Sequence, residues 1–262
     1  MVSPASMDLA LRGRTILVAR DPDRVHGLTQ RLSEQGAEVL VAPVTSTVPP
    51  PNVARLDAAT RRLLDGHYRW VVITSVNTVV ALVDSAARQG MGVDYVGRHP
   101  TRWAAVGVAT RNALSEHGIQ VDLVPGTHSA TGLLAAFPSP RPDENTAVLF
   151  PQSGIASPLL TAGLTQRGWE PETVIAYHTS SCPLVASVRE RIEDGTVDTV
   201  VLAAGSAVRS FAEQVGKELA PPIITIGAET ARIAHNLGLA VAAVAEAPTD
   251  EAIADAVVSS LG

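Results

Sequence analysis

Short apolar runs alternate with amphipathic stretches along almost the whole chain, and this alternation constrains the fold more than any other feature. The runs are rich in Val, Ile, Leu and Ala, which is typical of strands that are buried on both faces of a parallel sheet. The stretches between them have the periodicity of amphipathic helices. The pattern therefore predicts an α/β fold with parallel sheets that helices cover on both sides.

The predicted strands are Thr15–Ala19, Glu38–Val44, Trp70–Thr74, Trp103–Val106, Val121–Val124, Ala147–Phe150, Glu172–Tyr177, Thr199–Ala203, Ile223–Ile226 and Ala240–Ala245. The clearest predicted helices are Val25–Gln35, Thr78–Gln89, Arg111–His117, Pro158–Arg167, Ala207–Val215, Ala231–Asn236 and Asp250–Leu261.

Composition excludes several classes of protein. The chain has 262 residues, of which 46% are hydrophobic, so it is long enough for one large or two modest domains and too apolar for disorder. No apolar run approaches the roughly 18–20 residues of a membrane span, and Met1–Gly13 lacks the pattern of a secretory signal. The single cysteine, Cys182, excludes an intramolecular disulfide framework. We therefore expect a cytoplasmic protein that does not bind membranes.

Charge argues against nucleic acid as a partner. The net charge is −6, whereas nucleic-acid binding needs a basic surface, and nine aromatic residues leave little to stack on bases. Of the 20 basic residues, only Lys217 is not arginine. A GC-rich coding bias is the favoured explanation, and recognition of carboxylates or phosphates by guanidinium groups is the alternative. Composition alone leaves both open.

The chain also repeats itself in three collinear blocks. The spacing Gly107-x-x-Thr110 followed by Gly118-x-x-Val121 recurs unchanged at Gly227, Thr230, Gly238 and Val241. Leu28, Leu32 and Gly36 recur as Leu160, Leu164 and Gly168, and Val71-Val72 recurs as Val200-Val201. Three collinear blocks predict a duplication that gives two similar α/β units.

Two extended segments, Val39–Pro51 and Glu172–Pro183, interrupt the alternation at equivalent places of the two copies. Proline keeps the preceding residue extended, so these segments are predicted to link two lobes. Periodicity alone leaves open whether each half of the chain forms one lobe or whether the chain crosses between lobes at both linkers.

The common catalytic signatures are absent from the sequence. It has no Gly-x-Gly-x-x-Gly, no phosphate-binding loop with Lys, no Gly-x-Ser-x-Gly and no His-Glu-x-x-His. The seven histidines show no metal-ligand spacing, so no metal is expected. Asp21 and Asp23 form an acidic pair that is interpreted as helix-capping, and Cys182 is interpreted as an inert thiol.

What remains is a set of strand-to-helix junctions with small hydroxyl and amide residues. They are Thr74–Asn77, Gly107–Thr110, Gln152–Gly154, Gly205-Ser206 and Gly227–Thr230. In a parallel sheet such junctions gather at the carboxyl edge, where helix starts offer free backbone N–H groups to anions. One interpretation is that Ser, Thr and Asn are plain N-caps, each contributing about 1 kcal/mol to its helix. The other is that two mirrored sets, facing a cleft between lobes, bind one large and multiply charged anion.

The order of these features resembles the uroporphyrinogen-III synthase family from about Arg14 to Leu261. The residues that carry the resemblance are the first strand ending at Arg20, Trp70–Asn77, the two Gly-x-x-Thr junctions, Leu164-x-x-Arg167-Gly168 and Ala176–Thr179.

This resemblance implies two similar parallel-sheet lobes, with the chain crossing between them twice through a pair of linker strands. The first lobe would comprise positions 1–44 and 178–262, the second lobe positions 50–173, and the linker strands positions 45–49 and 174–177. It also implies an enzyme that needs no metal or organic cofactor. The family's enzymes close hydroxymethylbilane to uroporphyrinogen III, with loss of water and inversion of the terminal pyrrole ring.

By match to the family's linker tyrosine, Tyr177 is the candidate donor of the proton that the leaving hydroxyl needs; the alternative is an ordinary, half-exposed linker aromatic. The substrate-binding candidates carried over by position are Arg20, Ser75, Asn77, Gly107, Thr110, Gln152, Ser206, Gly227 and Thr230. Arg111 either adds positive charge or is a surface residue.

The chain departs from the family's pattern at two places. Ala203-Ala204 stands where Thr-Ser is frequent, and Asp21 stands where Pro is common. These changes thin the set of hydroxyl groups and add a negative charge near a polyanion site, so they bear on activity rather than on fold.

The resemblance implies a linear tetrapyrrole with many carboxylates as substrate. We also expect hand-off of that substrate from hydroxymethylbilane synthase, and a monomer. A different class of function is a synthase-like module that senses a tetrapyrrole or another anion in regulation. Against it, the sequence after Asp250–Leu261 ends at Gly262 and leaves no room for a helix-turn-helix domain. A two-lobed receptor for small solutes is a third hypothesis, which the missing signal sequence weakens.

Overall fold

The computed structural model describes residues 9–92 and 100–262. The expectations about Met1–Gly13 and the histidines therefore concern, in part, residues 1–8 and His99, which lie outside the described residues. In chain order the elements are β1 (Thr15–Val18), a 3-10 helix (Pro22–Arg24), α1 (His26–Glu34), β2 (Glu38–Val41), β3 (Thr45–Val48), α2 (Val53–Leu64), β4 (Trp70–Ile73), α3 (Val76–Arg88), β5 (Arg102–Ala105), α4 (Val108–Glu116), α5 (Ala130–Ala136), β6 (Ala147–Ser153), α6 (Leu159–Gln166), β7 (Glu170–Ser181), α7 (Ala186–Glu193), β8 (Thr199–Leu202), α8 (Gly205–Val215), β9 (Ile223–Thr225), α9 (Ala228–Asn236), β10 (Val241–Val244) and α10 (Asp250–Leu261).

The chain divides into two compact units. The first unit contains the described residues up to Ser46 together with Ser180–Gly262, and the second unit is Thr47–Thr179. The strands form two five-stranded sheets, β10-β9-β8-β1-β2 in the first unit and β3-β7-β6-β4-β5 mostly in the second; β3 and β7 cross the boundary between the units. The strand pairs whose register is described are all parallel. The predicted α/β fold with parallel sheets is confirmed.

In the first unit, alternate residues of β1 enter two different cores. Ile16 and Val18 pack in a cluster that includes residues of α1 and α10, whereas Leu17 packs in a cluster that includes residues of α7, α8 and α9. All three side chains are fully buried. Successive side chains of a strand point to opposite faces, so an uninterrupted apolar run is what a sheet covered on both faces requires.

The second unit is built in the same way around β4. Val71 and Ile73 pack in a cluster with residues of α2, α3 and α4, and Trp70 and Val72 pack in a cluster with residues of α5 and α6. Parallel strands end at the same edge of their sheet, so the loops that follow β4, β5 and β6 lie at one edge of the second unit. The loops that follow β1, β8 and β9 lie at one edge of the first unit.

Two strand predictions differ from the structure. Residues 121–124 form no strand and contribute one isolated bridge, between Leu123 and Ala104. Here the Asp122 carboxylate accepts the backbone N–H of Trp103, and Pro125 has no N–H for a ladder. The predicted strand Glu38–Val44 ends at Val41, because Pro43 has no N–H to continue the ladder, and a separate strand, β3, begins at Thr45.

The other predicted strands and helices are present, with some ends shifted by a few residues, and the described residues contain three additional α-helices. These are α2, α5 and α7, none of which stood among the clearest predicted helices. The segment Glu172–Pro183, interpreted as a linker, is mostly β7, a strand of 12 residues.

Candidate functional site

Ser75 lies just after the carboxyl end of β4 and is the N-cap of α3. Its Oγ accepts a hydrogen bond from the backbone N–H of Thr78 at 3.2 Å and lies 3.0 Å from the Thr78 hydroxyl. The same Oγ lies 3.0 Å from the hydroxyl oxygen of Tyr177. Ser75 is therefore a helix cap, as one interpretation predicted, and it also contacts the candidate proton donor.

Tyr177 reaches the capping serine because β7 contains a β-bulge. Gln152 of β6 pairs with Ile175, and the next residue, Ser153, pairs with Tyr177, so Ala176 is the extra residue. A bulge changes the alternation of side chains along a strand, and Ala176 and Tyr177 are both buried in the same core cluster. Tyr177 is 9% exposed, so the interpretation of a half-exposed linker aromatic is wrong.

Asn77 and Gln152 also lie at this edge of the second unit. Asn77 is half-buried in the first turn of α3, and its Nδ2 donates to the Thr47 hydroxyl of β3 at 3.1 Å. Gln152 is half-buried beside the bulge, and its Oε1 is buried with no hydrogen-bond partner among the described residues. A buried polar atom without a partner costs about 1–3 kcal/mol, so Gln152 presents an unsatisfied acceptor.

The two Gly-x-x-Thr junctions have the same local structure. Gly107 is the N-cap of α4 and Gly227 is the N-cap of α9, and neither helix has a side-chain cap. Thr110 and Thr230 are only 5% and 8% exposed, so their side chains are buried. What these junctions offer to an anion is therefore the backbone N–H groups of an uncapped helix start.

Arg20 and Ser206 lie in the first unit. Arg20 follows β1, and its guanidinium Nη1 is 3.7 Å from the Asp250 Oδ1, so a carboxylate of the protein already lies beside this charge. Ser206 is half-buried in the first turn of α8. The N-cap of that helix is Ala204, which has no capping side chain, so the alanines at this junction do remove a hydroxyl group.

The candidate residues form one set in each unit. The set in the second unit is Ser75, Asn77, Gly107, Thr110, Gln152 and Tyr177, and the set in the first unit is Arg20, Ser206, Gly227 and Thr230. Within residues 9–92 and 100–262, the contact between Ser75 and Tyr177 is the one side-chain hydrogen bond that joins two of them.

The remaining residues singled out from the sequence have local roles. Asp21 accepts the backbone N–H of Asp23 at 3.0 Å and caps the 3-10 helix, as predicted. Arg111 is exposed and bonds to its neighbour Asn112, which agrees with the surface interpretation. Cys182 is half-buried and free.

Sequence reasoning did not find several neighbours of the candidates. Thr78 bonds to Ser75, a contact that the helix-cap interpretation of Ser75 could have indicated, whereas nothing in the sequence around Thr47 indicates its bond to Asn77. A Cβ at Gly154 would overlap the Cε1 of His178, so the imidazole occupies the space that a larger residue would need. The glycine in Gln152–Gly154 was a signal for such a close approach.

Two charged clusters lie where strands begin rather than where they end. Arg191 and the Thr15 hydroxyl hold the pKa of Glu38, the first residue of β2, at about 2. In the second unit, Tyr68 precedes β4, and its hydroxyl donates to Glu172 at 2.7 Å. Burial, and then the bond to Glu172, raises the pKa of Tyr68.

Residues 9–92 and 100–262 contain neither a cluster of metal ligands nor a membrane-spanning helix. No group of three or more His, Cys, Asp or Glu side chains in these ranges is placed to hold a metal ion. None of the helices in these ranges is both long enough and apolar enough to cross a bilayer.

Comparison with known proteins gives matches over most of the chain. A family model described as "Uroporphyrinogen-III synthase HemD" matches residues 27–255. The chain is 27% identical over 241 residues to the porphyrin biosynthesis protein HemD of Ruminiclostridium josui. That alignment covers 89% of this chain and 46% of the relative, so the chain spans about half the length of that curated relative.

Solved structures share the fold. A mutant uroporphyrinogen III synthase from Thermus thermophilus gives a TM-score of 0.67 at 21% identity, covering 95% of this chain and 98% of that chain. Uroporphyrinogen-III synthetase from Helicobacter pylori gives a TM-score of 0.62 at 17% identity, covering 94% and 99%. The family model covers most of the chain and its match agrees with the fold; the chain belongs to the uroporphyrinogen-III synthase family.

Proposed function

We propose that this protein is a uroporphyrinogen-III synthase, a lyase that closes hydroxymethylbilane to uroporphyrinogen III. The reaction expels the terminal hydroxyl as water and inverts the last pyrrole ring. The observation that carries the proposal is the family match across residues 27–255. The side chains and helix starts at the strand ends are consistent with the chemistry that this substrate requires.

The substrate is a flexible polyanion that closes spontaneously without inverting its last ring. The enzyme must therefore control the conformation in which the bilane closes. An enzyme that folds the bilane and holds both of its ends accelerates closure by orienting the reacting atoms, an effect that reaches many powers of ten in rate. Backbone N–H groups at the starts of α4 and α9, where Gly107 and Gly227 leave the helix uncapped, suit carboxylate arms. Binding by backbone groups needs no metal or organic cofactor.

We assign the proton transfer to Tyr177. Its hydroxyl would give its proton to the departing hydroxyl group, so that the carbon–oxygen bond breaks and water leaves. The Ser75 Oγ, 3.0 Å from the tyrosine oxygen, is placed to donate to the phenolate that remains. The Thr78 N–H fixes Ser75 in that position, since it occupies one acceptor site of the same oxygen.

Substrate contacts are assigned to the rest of the candidates at the strand ends. In the second unit they are Ser75, Asn77, Gly107, Thr110 and Gln152, and in the first unit Arg20, Ser206, Gly227 and Thr230. Thr110 and Thr230 are buried, so they support the helix starts from within and the backbone there makes the contact.

The finer architecture is proposed to be a duplicated α/β unit with the chain crossing twice. Several repeat positions have equivalent environments in the two units. Gly36 and Gly168 both have a positive φ, of 90° and 92°, and Gly118 and Gly238 have φ values of 72° and 74°. We propose one lobe at positions 1–44 with 178–262 and another at positions 50–173, joined by linker strands at 45–49 and 174–177.

We further propose a cytoplasmic monomer that receives its bilane from hydroxymethylbilane synthase. The bilane is unstable in water, so a short transfer path limits its spontaneous closure. The alternative function, a tetrapyrrole or anion sensor, gains no support from the comparisons.

A coupled assay tests the proposed function. Hydroxymethylbilane is generated by an excess of the preceding enzyme, the products are oxidised, and uroporphyrins I and III are separated by chromatography. We expect type III at a rate proportional to the amount of this protein, above a control without it. Type I alone, formed in the presence of folded protein, would refute the proposal.

A further inference from the structure

A carboxylate of the protein itself lies beside Arg20 in the first unit. The Asp250 Oδ1 is 3.7 Å from the Arg20 Nη1, and the two side chains are 27% (Arg20) and 38% (Asp250) exposed. Both side chains are partly exposed, and ion pairs that water can reach contribute little to stability at this separation. A carboxylate from a ligand can therefore replace Asp250 at this guanidinium with little loss to the fold.

The place of the Asp250 carboxylate depends on a glycine. A Cβ at Gly27 would lie 2.5 Å from the Asp250 Oδ2, so a larger residue would push the carboxylate away. Gly27 lies in the first turn of α1, whose N-cap Val25 makes no side-chain bond. An uncapped helix start and a guanidinium both favour a negative group, and Asp250 supplies it.

The repeat indicates that these three residues belong together. At the corresponding repeat positions of the second unit, Arg20, Gly27 and Asp250 are replaced by Gln152, Leu159 and Ala130. The guanidinium, the glycine and the carboxylate therefore occur together in one copy and are all replaced in the other. An acid placed only to stabilise the first turn of α10 would need neither a glycine at 27 nor an arginine at 20.

We propose that Asp250 is an internal ligand that holds Arg20 in the free protein and gives it up when a carboxylate arm of the substrate binds. The inference rests on the proposed function, because it takes Arg20 as a substrate contact. Asp250 is then a specificity-determining residue. Its carboxylate competes with any anion for Arg20 and so lowers the affinity for all of them. A ligand with several carboxylates can still displace Asp250, because its other carboxylates bind elsewhere at the same time.

Binding of uroporphyrin III, a stable octacarboxylate, tests the inference. The Kd is measured by fluorescence titration for the wild type and for Asp250→Asn. We expect Asp250→Asn to bind roughly two- to fivefold more tightly, the range that an exposed ion pair represents. Asp255→Asn is the matched control, since it removes the same charge from an exposed position of the same helix and should change the Kd less.

A second variant displaces the carboxylate without changing the charge of the protein. Gly27→Ala places a methyl carbon 2.5 Å from the present position of the Asp250 Oδ2, too close for the carboxylate to stay there, so we expect this variant also to bind uroporphyrin III more tightly. In an Arg20→Gln background, neither Asp250→Asn nor Gly27→Ala should alter the Kd. Weaker or unchanged binding by Asp250→Asn, or equal tightening by Asp255→Asn, would overturn the inference.

The two proposals fail separately. If the wild type forms no type III product but the variants show the expected pattern of Kd values, the proposed function fails and the role of Asp250 stands. If type III forms and the Kd values do not follow the pattern, the inference alone fails. Absence of uroporphyrin binding by every variant also overturns the inference.

Discussion

The hydroxyl of Tyr177 lies 3.0 Å from the Ser75 Oγ, and Ser75 is itself fixed by the Thr78 N–H at 3.2 Å. One residue thus caps a helix and positions a buried phenol. Because the serine oxygen accepts from the backbone, its own hydrogen is available to the tyrosine oxygen or to the Thr78 hydroxyl. At the scale of single residues, the proposed chemistry depends on this contact.

Replacing Tyr177 with Phe removes the hydroxyl and keeps the buried ring. We expect kcat for type III formation to fall by about 100-fold or more, since a positioned general acid contributes about 10²–10⁴ in rate. The measurement is the rate of type III production in the coupled assay. Wild-type kinetics in this variant would remove Tyr177 from the mechanism.

Tyr68→Phe is the matched control for that variant. Tyr68 is also buried in the second unit, but its hydroxyl bonds to Arg62 and Glu172 where the strands begin. We expect this change to lower stability by about 1–2 kcal/mol, because Glu172 loses a partner, and to leave turnover unchanged.

The contact between Gly154 and His178 is a second prediction at this scale. A Cβ at position 154 would overlap the imidazole, so Gly154→Ala forces the ring to move. We expect a loss of about 1–3 kcal/mol in the free energy of unfolding, the range for overpacking, measured by urea denaturation. In a His178→Ala background the same change should cost much less. Equal losses in both backgrounds would show that the ring is not the obstacle.

At the scale of elements, the uncapped helix starts set the proposed binding of carboxylates. Gly107→Asp places a carboxylate at the N-cap of α4, where the backbone is extended and a Cβ meets nothing closer than 3.8 Å. We expect the helix to gain a few tenths of a kcal/mol. We also expect KM to rise roughly fivefold to tenfold, because the new carboxylate occupies the helix start and repels the substrate.

Asn112→Asp is the control for Gly107→Asp. It adds the same charge to the same helix at an exposed position, so it should leave KM near the wild-type value. A similar rise in both variants would mean that overall charge, rather than the helix start, governs binding.

Glu38 joins three elements of the first unit, because its carboxylate on β2 bonds to Arg191 on α7 and to Thr15 on β1. These bonds hold its pKa at about 2, below its ordinary value of 4.5. The stabilisation is therefore complete above about pH 4.5 and is lost as the pH falls toward 2. We expect Glu38→Gln to be less stable than the wild type at pH 7, with the difference closing toward pH 2.

Urea denaturation at a series of pH values measures that difference. Glu246→Gln, at an exposed position, provides the control. A gap between wild type and Glu38→Gln that stays constant from pH 7 to pH 3 would contradict the assigned role of these bonds.

Elements were largely predictable from the sequence because their signals are local. The apolar run that contains Val71 and Val72 predicts a buried strand from its own composition, and it is one. The helix Asp250–Leu261 begins and ends at the predicted residues. The segment 121–124 was predicted wrongly because a side chain, that of Asp122, takes the N–H that a ladder would use. The bulge that turns Tyr177 toward Ser75 arises from register between two strands and has no local signal.

At the scale of the whole molecule, the sequence predicted the α/β class and the junctions that carry the candidate residues. It could not predict that Thr110 and Thr230 are buried, since burial depends on what the helices pack against. It also could not predict that Arg20 meets Asp250, because the two lie near opposite ends of the chain and each has an ordinary local explanation. The residue types at a strand-to-helix junction can be predicted from the local sequence, whereas contacts between residues distant in the chain cannot.

The central claim is that the protein directs ring closure by holding the bilane in one conformation. The direct test is the isomer composition under single-turnover conditions, with protein in excess over freshly made hydroxymethylbilane. We expect nearly all of the product to be type III, because bound bilane closes before unaided closure competes. Type I in the proportion formed without protein would contradict the claim.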